Sequence, residues 1–159
     1  MDQRIGRQSS KIICTGEGKK LSNKFFLDAS FAIALSSPND RYHGLAEELS
    51  EQIQKTRAKM VTTRAVILEI GNALAKMRYR KAAIELLEAI EEDPNVEIVP
   101  VSEELYKLVF DLYKKRTDKE WGLTDCISFV VMQEYELNDA LTADEHFRQA
   151  GFRVLLLED

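Results

Sequence analysis

Apolar residues along this chain come in short bursts and in helical stripes, and the two alternate from about residue 24 onward. KFFLDAS (24–30) is a compact apolar burst that predicts a buried strand ending near Asp28. ASFAIALSS predicts a short helix that stops before Pro38. Asn39 and Asp40 offer caps for a helix through about Arg57, with Leu45, Leu49 and Ile53 on one face. KMVTT (59–63) reads as a second strand and RAVILEIGNALAKM (64–77) as a largely buried helix. RKAAIELLEAIEED predicts a further helix with Ala83, Leu87 and Ile90 on one face, stopped by Pro94. VEIVP (96–100) is a third strand. Ser102 can cap a helix on which Leu105, Leu108, Val109 and Leu112 keep the i, i+3, i+4, i+7 spacing.

A polar loop (115–120) leads to WGLTDCISFVVM (121–132), an apolar helix with a carboxylate, Asp125, at its mouth. DALTAD then predicts a fourth strand, DEHFRQAG a short helix and VLLL (154–157) a fifth strand. Strands and helices alternate with no repeat and no internal linker. This pattern predicts the α/β class, a mainly parallel five-stranded sheet with helices on both faces. Residues 1–23 show neither periodicity nor a sustained apolar run, and are read as a disordered N-terminal extension. Residues 24–159 form the predicted domain.

Composition changes this picture little. At 159 residues, 45% hydrophobic and 31% charged, the chain suits one globular domain with its own core. There is no membrane-length apolar run and no signal-like h-region in MDQRIGRQSSKIICTGEGKK. Two cysteines, Cys14 and Cys126, are too few for a metal cluster, so a reduced, cytoplasmic protein is expected. Charge is more informative. Residues 1–27 hold six basic and two acidic residues, whereas the other 132 hold 16 basic and 25 acidic. So acidic a domain is no general nucleic-acid coat, because phosphate contacts need a basic face. Local basic clusters do occur at KMRYRK (76–81) and KKR (114–116). Solvated helix faces are the simpler reading of both, with RNA-backbone contacts the alternative.

Four acids fall where they could converge. In open α/β sheets, ligands bind outside the carboxyl ends of the strands. Asp28 ends the first strand, Asp144 ends the fourth, and Asp125 opens the apolar helix. Each of these three could instead be a helix cap. Glu69 has no such explanation within the apolar AVILEIGNAL, where a buried glutamate without a partner is expensive. A salt bridge to Arg64 or Arg78 is its structural alternative, and Asn72 shares its face. Four gathered carboxylates repel one another until a divalent cation fills them. An all-oxygen donor set predicts Mg²⁺, with Mn²⁺ as a substitute, over Zn²⁺. Such a site suits phosphodiester hydrolysis by a metal-activated water. The histidines His43 and His146 could form a metal-free acid/base pair for RNA cleavage, but their helix contexts point to surface or packing roles. No phosphate-binding glycine loop, GxSxG or HExxH is present.

The ordered set FFLDAS, LEIGNAL, DKEWGLTDCISFVVM and ALTADEHFRQAGF resembles the PIN-domain nucleases, most closely the VapC-like toxins of prokaryotic toxin–antitoxin modules. The resemblance runs from about Lys24 to the end. It implies a PIN-like three-layer sandwich and a metal-dependent endoribonuclease, with Asp28, Glu69, Asp125 and Asp144 as catalytic, metal-holding acids. Ser30, Asn72 and Thr124 match supporting or water-holding positions, and Asp118 matches a position that is often acidic. The resemblance further implies an RNA substrate, a cognate antitoxin protein, a homodimer and no membrane association. Two departures stand out: about 27 residues precede the first acid, and Gly122 replaces the serine of a WSLTD motif. An RNA- or protein-binding PIN-like domain without nuclease activity, and a housekeeping RNA-processing nuclease, are the alternatives.

Overall fold

A computed structural model of the chain describes residues 23–158 and the backbone of two flanking dipeptides. These dipeptides, β1 (Ile13–Cys14) and β2 (Lys20–Leu21), pair antiparallel with each other and stand outside the main sheet. Apart from that pair, the expectation of a disordered extension over 1–23 lies outside the described residues.

The main sheet has five strands, all parallel: β3 (Lys24–Leu27), β4 (Lys59–Thr63), β5 (Val96–Val99), β6 (Asp139–Leu141) and β7 (Arg153–Val154). Their spatial order is β5–β4–β3–β6–β7. β3 is central, and Phe25, Phe26 and Leu27 are buried as a strand covered on both faces requires. Helices α1 (Ala29–Ser36), α2 (His43–Thr56), α3 (Arg64–Ala73) and α4 (Met77–Glu92) connect β3 to β4 and β4 to β5. Helices α5 (Glu103–Lys115), α6 (Leu123–Glu134) and α7 (Glu145–Gln149) serve the second half. Right-handed crossovers put the first four on one face and the last three on the other. The main contacts among the helices follow the same division, with α3 meeting α6 as a bridge between the sets. The chain leaves β3 toward β4 and leaves β6 toward β7, so the topological switch point falls between β3 and β6.

The α5–α7 face is anchored by aromatic packing. Phe129 of α6 makes edge-on contacts with Trp121 (4.9 Å, 74°) and Phe147 (5.0 Å, 87°), and Phe147 also touches Phe26 of β3. Cys126, Ser128, Val131 and Met132 are fully buried around it. This burial fixes α6 against the sheet and therefore fixes the direction in which its first turn points. No helix among the described residues is long and apolar enough to cross a membrane.

Several boundaries differ from expectation. The fifth strand stops at Val154, and Leu155–Leu157 form a 3₁₀ turn. The three-residue β6 leaves β7 little ladder to pair with, and Leu156 N–H reaches past it to the Thr142 carbonyl (3.2 Å). α2 begins at His43, because Asp40 instead closes a turn by accepting from the Tyr42 N–H (2.8 Å). α3 ends at Ala73 and α4 already starts at Met77. Nor is α3 largely buried, since Arg64, Leu68, Glu69, Asn72 and Ala73 lie on its solvent side.

Candidate active site

Three connections deliver carboxylates to the switch point. Asp28 follows β3 directly. Its N–H donates to the Leu141 carbonyl of β6 (3.2 Å), which ties it to the neighbouring strand. Its side chain is 8% exposed and does not cap α1, so the cap reading fails for this residue. Instead Asp28 Oδ2 accepts from Thr142 Oγ1 (2.7 Å) and, at longer range, from Ser30 Oγ (3.3 Å). Those hydroxyls are held in turn. Ser30 Oγ accepts from Ala143 N–H (2.9 Å), Thr142 Oγ1 accepts from Asp144 N–H (3.1 Å), and the two oxygens lie 3.0 Å apart. Burial pushes the Asp28 carboxyl above the usual carboxylate range. The Thr142 hydroxyl and the Ala29 N–H oppose that shift, while Asp144 and Asp125 reinforce it.

Asp144 does cap: its Oδ1 accepts from the His146 N–H (2.9 Å) at the start of α7. Asp125 lies three residues inside α6, where its Oδ2 accepts from the Gly122 N–H (3.0 Å). Gly122 is therefore the cap residue, and Asp125 is the reciprocal partner that a capping box places one turn in. The glycine that departs from WSLTD keeps this main-chain contact and presents no side chain of its own. Between Asp125 and Asp144 sits His146, with Nδ1 3.0 Å from Asp125 Oδ2 and 3.6 Å from Asp144 Oδ1. One donor atom from each of the three lies within 4.8 Å of the others, a spacing that can hold a metal ion. His146 is therefore corrected from a surface or packing histidine to a site residue. His43 does keep a packing role, bonded to the Ala34 carbonyl and facing Glu47, so the two histidines form no acid/base pair.

Glu69 approaches from α3. It is exposed rather than buried, which corrects the premise that singled it out. Its carboxyl is nonetheless pushed up to about 7, first by partial burial and then by the charges of Asp28, Asp125 and Asp144. The charges of these three acids therefore act on Glu69, although it is not among the three residues at metal-holding spacing. Neither expected arginine neutralises it. Arg64 pairs with Glu91, Arg78 lies over the Tyr79 ring, and no ion pair to Glu69 occurs among the described residues.

The remaining expected residues divide. Ser30 belongs to the network around Asp28. Asn72 lies one turn beyond Glu69, exposed, and its side chain makes no hydrogen bond among the described residues. The half-buried Thr124 contributes its carbonyl to Ser128 (3.1 Å), and its hydroxyl reaches none of the four acids. Asp118 is bound bidentately by Arg116 (2.9 Å for each contact), which holds it down at about 2. It plays no part in the shifts of Asp28 or Glu69. Thr142 and His146 are the residues that sequence reasoning missed. Both flank Asp144 at two-residue spacing, and that proximity was the only available signal. An apolar groove elsewhere, lined by Phe31, Leu35, Ile53, Leu86 and Ile90, contains none of the four acids.

A parallel sheet with acids gathered at its switch point defines a class of protein, and the family comparison agrees: residues 25–153 match the PIN domain, and the chain belongs to that family. Among characterised relatives it is similar to the 23S rRNA-specific endonuclease VapC20 of Mycobacterium tuberculosis. The two are 27% identical over 127 residues, covering 80% of this chain and 94% of the relative. The crystal structure of that VapC20, described as a Sarcin-Ricin loop cleaving toxin, superposes with a TM-score of 0.72 at 26% identity, covering 80% and 95% of the two chains. The same fold recurs in VapBC2 from Rickettsia felis bound to a promoter DNA fragment (TM-score 0.58, 11% identity, 82% and 96% covered). It recurs also in FitAcB from Neisseria gonorrhoeae (TM-score 0.56, 19% identity, 82% and 95% covered).

Proposed function

We propose that this chain is a Mg²⁺-dependent endoribonuclease, with Mn²⁺ as a possible substitute, and that it is the toxin of a toxin–antitoxin pair. The observation that carries this reading is the gathering of Asp125, Asp144 and His146 within 4.8 Å, with Asp28 tied to it through Thr142, the charge of Glu69 coupled to it, and no lysine or arginine paired to the four acids among the described residues. Two of the four are pushed above the ordinary carboxylate range by burial and by one another. Such a cluster is electrostatically unfavourable alone, and a donor set dominated by carboxylates, with the His146 imidazole beside Asp125 and Asp144, fits a divalent cation such as Mg²⁺ or Mn²⁺. A bound ion supplies Lewis-acid polarisation of the phosphoryl oxygens and makes water a nucleophile near neutral pH.

The chain's own residues do the rest. Asp28 reaches the site from the end of β3, Asp144 from the cap of α7, Asp125 from α6 and Glu69 from α3. The Thr142 and Ser30 hydroxyls hold Asp28 in one orientation. The Gly122 N–H does the same for Asp125, leaving its other oxygen available. No side chain need act as the nucleophile, and cleavage leaves a 5′-phosphate and a 3′-hydroxyl. The similarity to VapC20 supports an RNA substrate, and the VapBC and FitAB neighbours support an antitoxin partner. The working form is a homodimer, and the place of action is the cytoplasm. Sequencing RNA 5′-ends after brief induction, beside Asp125→Asn, tests the reading. New ends with the parent alone support it. Identical ends in both overturn it.

A further inference from the structure

The lysine-rich end of α5 is not used by the acid cluster, yet it borders that cluster directly. An open hollow of about 530 Å³ is lined by Tyr113, Arg116, Thr117, Lys119, Glu120, Trp121 and Gly122. Gly122 forms part of its wall, and the same residue's N–H is bonded to Asp125. The hollow is therefore separated from the candidate catalytic acid by one residue.

Its aromatic side is ordered. Tyr106, Phe110 and Tyr113 stack along the outside of α5, with centroids 6.0 and 6.3 Å apart and interplanar angles of 7° and 15°. All three rings are substantially exposed. Such a column needs three aromatics at helical spacing and covers no core. Tyr113 is its last rung and lines the hollow, so a flat group entering there continues the stack. The charge is local too. Lys114, Lys115, Arg116 and Lys119 follow within six residues on a domain that is otherwise strongly acidic. Lys114 pairs with Asp111 and Arg116 with Asp118, and Glu120 joins the lining, so Lys119 is the wall's cation without an ion pair among the described residues. Arg116 lies over the Trp121 ring (4.7 Å) while gripping Asp118, which makes the loop a fixed wall. A flat aromatic face next to cations is what unpaired nucleotides require, because every base offers a π-face and every linkage a negative charge.

We infer that this hollow binds a nucleotide of single-stranded RNA flanking the scissile phosphate, with Tyr113 stacking on its base and Lys119 meeting its backbone. The inference rests on the proposed nuclease reading for the position of the scissile phosphate, but its test is a binding measurement. A second copy of this chain is the competing occupant, since stacked aromatics also favour protein contacts.

The experiment titrates a fluorescein-labelled single-stranded RNA with the full chain carrying Asp125→Asn, which keeps the RNA intact. Tyr113→Ala in that background weakens binding roughly tenfold, whereas Tyr113→Trp retains it. Lys119→Ala reduces the salt dependence by about one unit of slope. Circular dichroism and light scattering accompany each variant, and Lys119→Glu gives a loop variant that leaves the helix alone. Unchanged RNA affinity in both Tyr113→Ala and Lys119→Glu overturns the inference. So does a Tyr113→Ala protein that turns from dimer to monomer while its RNA affinity holds. If the parent cleaves RNA but the Tyr113 and Lys119 variants bind like it, the hollow fails and the nuclease reading stands. If the parent binds RNA through Tyr113 yet cleaves none, the hollow stands and the nuclease reading fails.

Discussion

The acid cluster is built in two unlike halves. On the sheet side, Asp28 is buried, receives two hydroxyls and is joined through Thr142 to the backbone of Asp144. On the helix side, Glu69 projects from an exposed face of α3 with no hydrogen bond or ion pair among the described residues, coupled to the others by charge alone. The first half is positioned before any ligand arrives, and the second gains a fixed place only with one. Preorganised groups offer a ligand fixed geometry, whereas unpaired ones respond to it.

The sharpest way to break this contrast is Asp28→Asn. Cleavage of RNA should fall by roughly three orders of magnitude, as removal of a charge-stabilising group commonly does. The metal-free protein should melt a few degrees higher, because one buried like charge is gone. A melt in EDTA beside a cleavage time course reads both. Thr142→Val comes next. It removes the donor at 2.7 Å from Asp28 and leaves the Asp144 N–H without its acceptor. Urea unfolding should show a loss of about 1–3 kcal/mol, and cleavage should slow by roughly tenfold or more.

Glu69→Gln tests the looser half by pH. Glu69 holds its proton up to about 7 in the folded chain, against 4.5 for an ordinary glutamate. The folded state therefore binds more protons in that window, and metal-free stability falls as pH rises from about 4.5 to about 7. The variant should flatten that decline in denaturation series run in EDTA, with a smaller loss of cleavage than Asp28→Asn. A decline of equal slope in parent and variant would remove Glu69 from the cluster. The smallest effect belongs to Asp118→Asn. Asp118 is committed to Arg116 outside the cluster, and an exposed pair contributes little, so single-turnover cleavage should stay within about twofold of the parent.

The same contrast explains what the sequence disclosed. Asp28 was legible because strand ends in a parallel sheet point at the ligand crevice and an apolar burst located that end. Asp144, expected to end the fourth strand, instead lies three residues past it and caps α7, because β6 stops at Leu141. Asp125 was legible as a residue at a helix start, although the cap itself is Gly122. Glu69 was selected for a burial it does not have; what links it to the other acids is the action of their charges through the fold, which helical periodicity does not encode. Thr142 and His146 were hidden for a related reason. Thr142 meets Asp28 across 114 positions and His146 meets Asp125 across 21, so both contacts depend on strand order and helix orientation rather than on local pattern. Asp118 shows the converse, since its partner is two residues away and a local ion pair takes it out of the cluster. The fold class was carried by the alternation of elements, whereas VLLL could not be resolved because a short apolar run fits a strand or a buried turn equally well.

The pairing of β3 with β6 also sets a timetable for the molecule. Asp28 emerges early in synthesis, but its hydroxyl partner and the last of the four acids lie at 142 and 144, beyond α6. A growing chain can form β3, β4 and the helices between them while its carboxylates remain scattered. The site comes into being only when β6 docks beside β3 and carries Thr142 onto Asp28. A chain synthesised only as far as α6 therefore lacks both Thr142 and Asp144, and the surroundings of Asp28 are completed by the last sixth of the sequence.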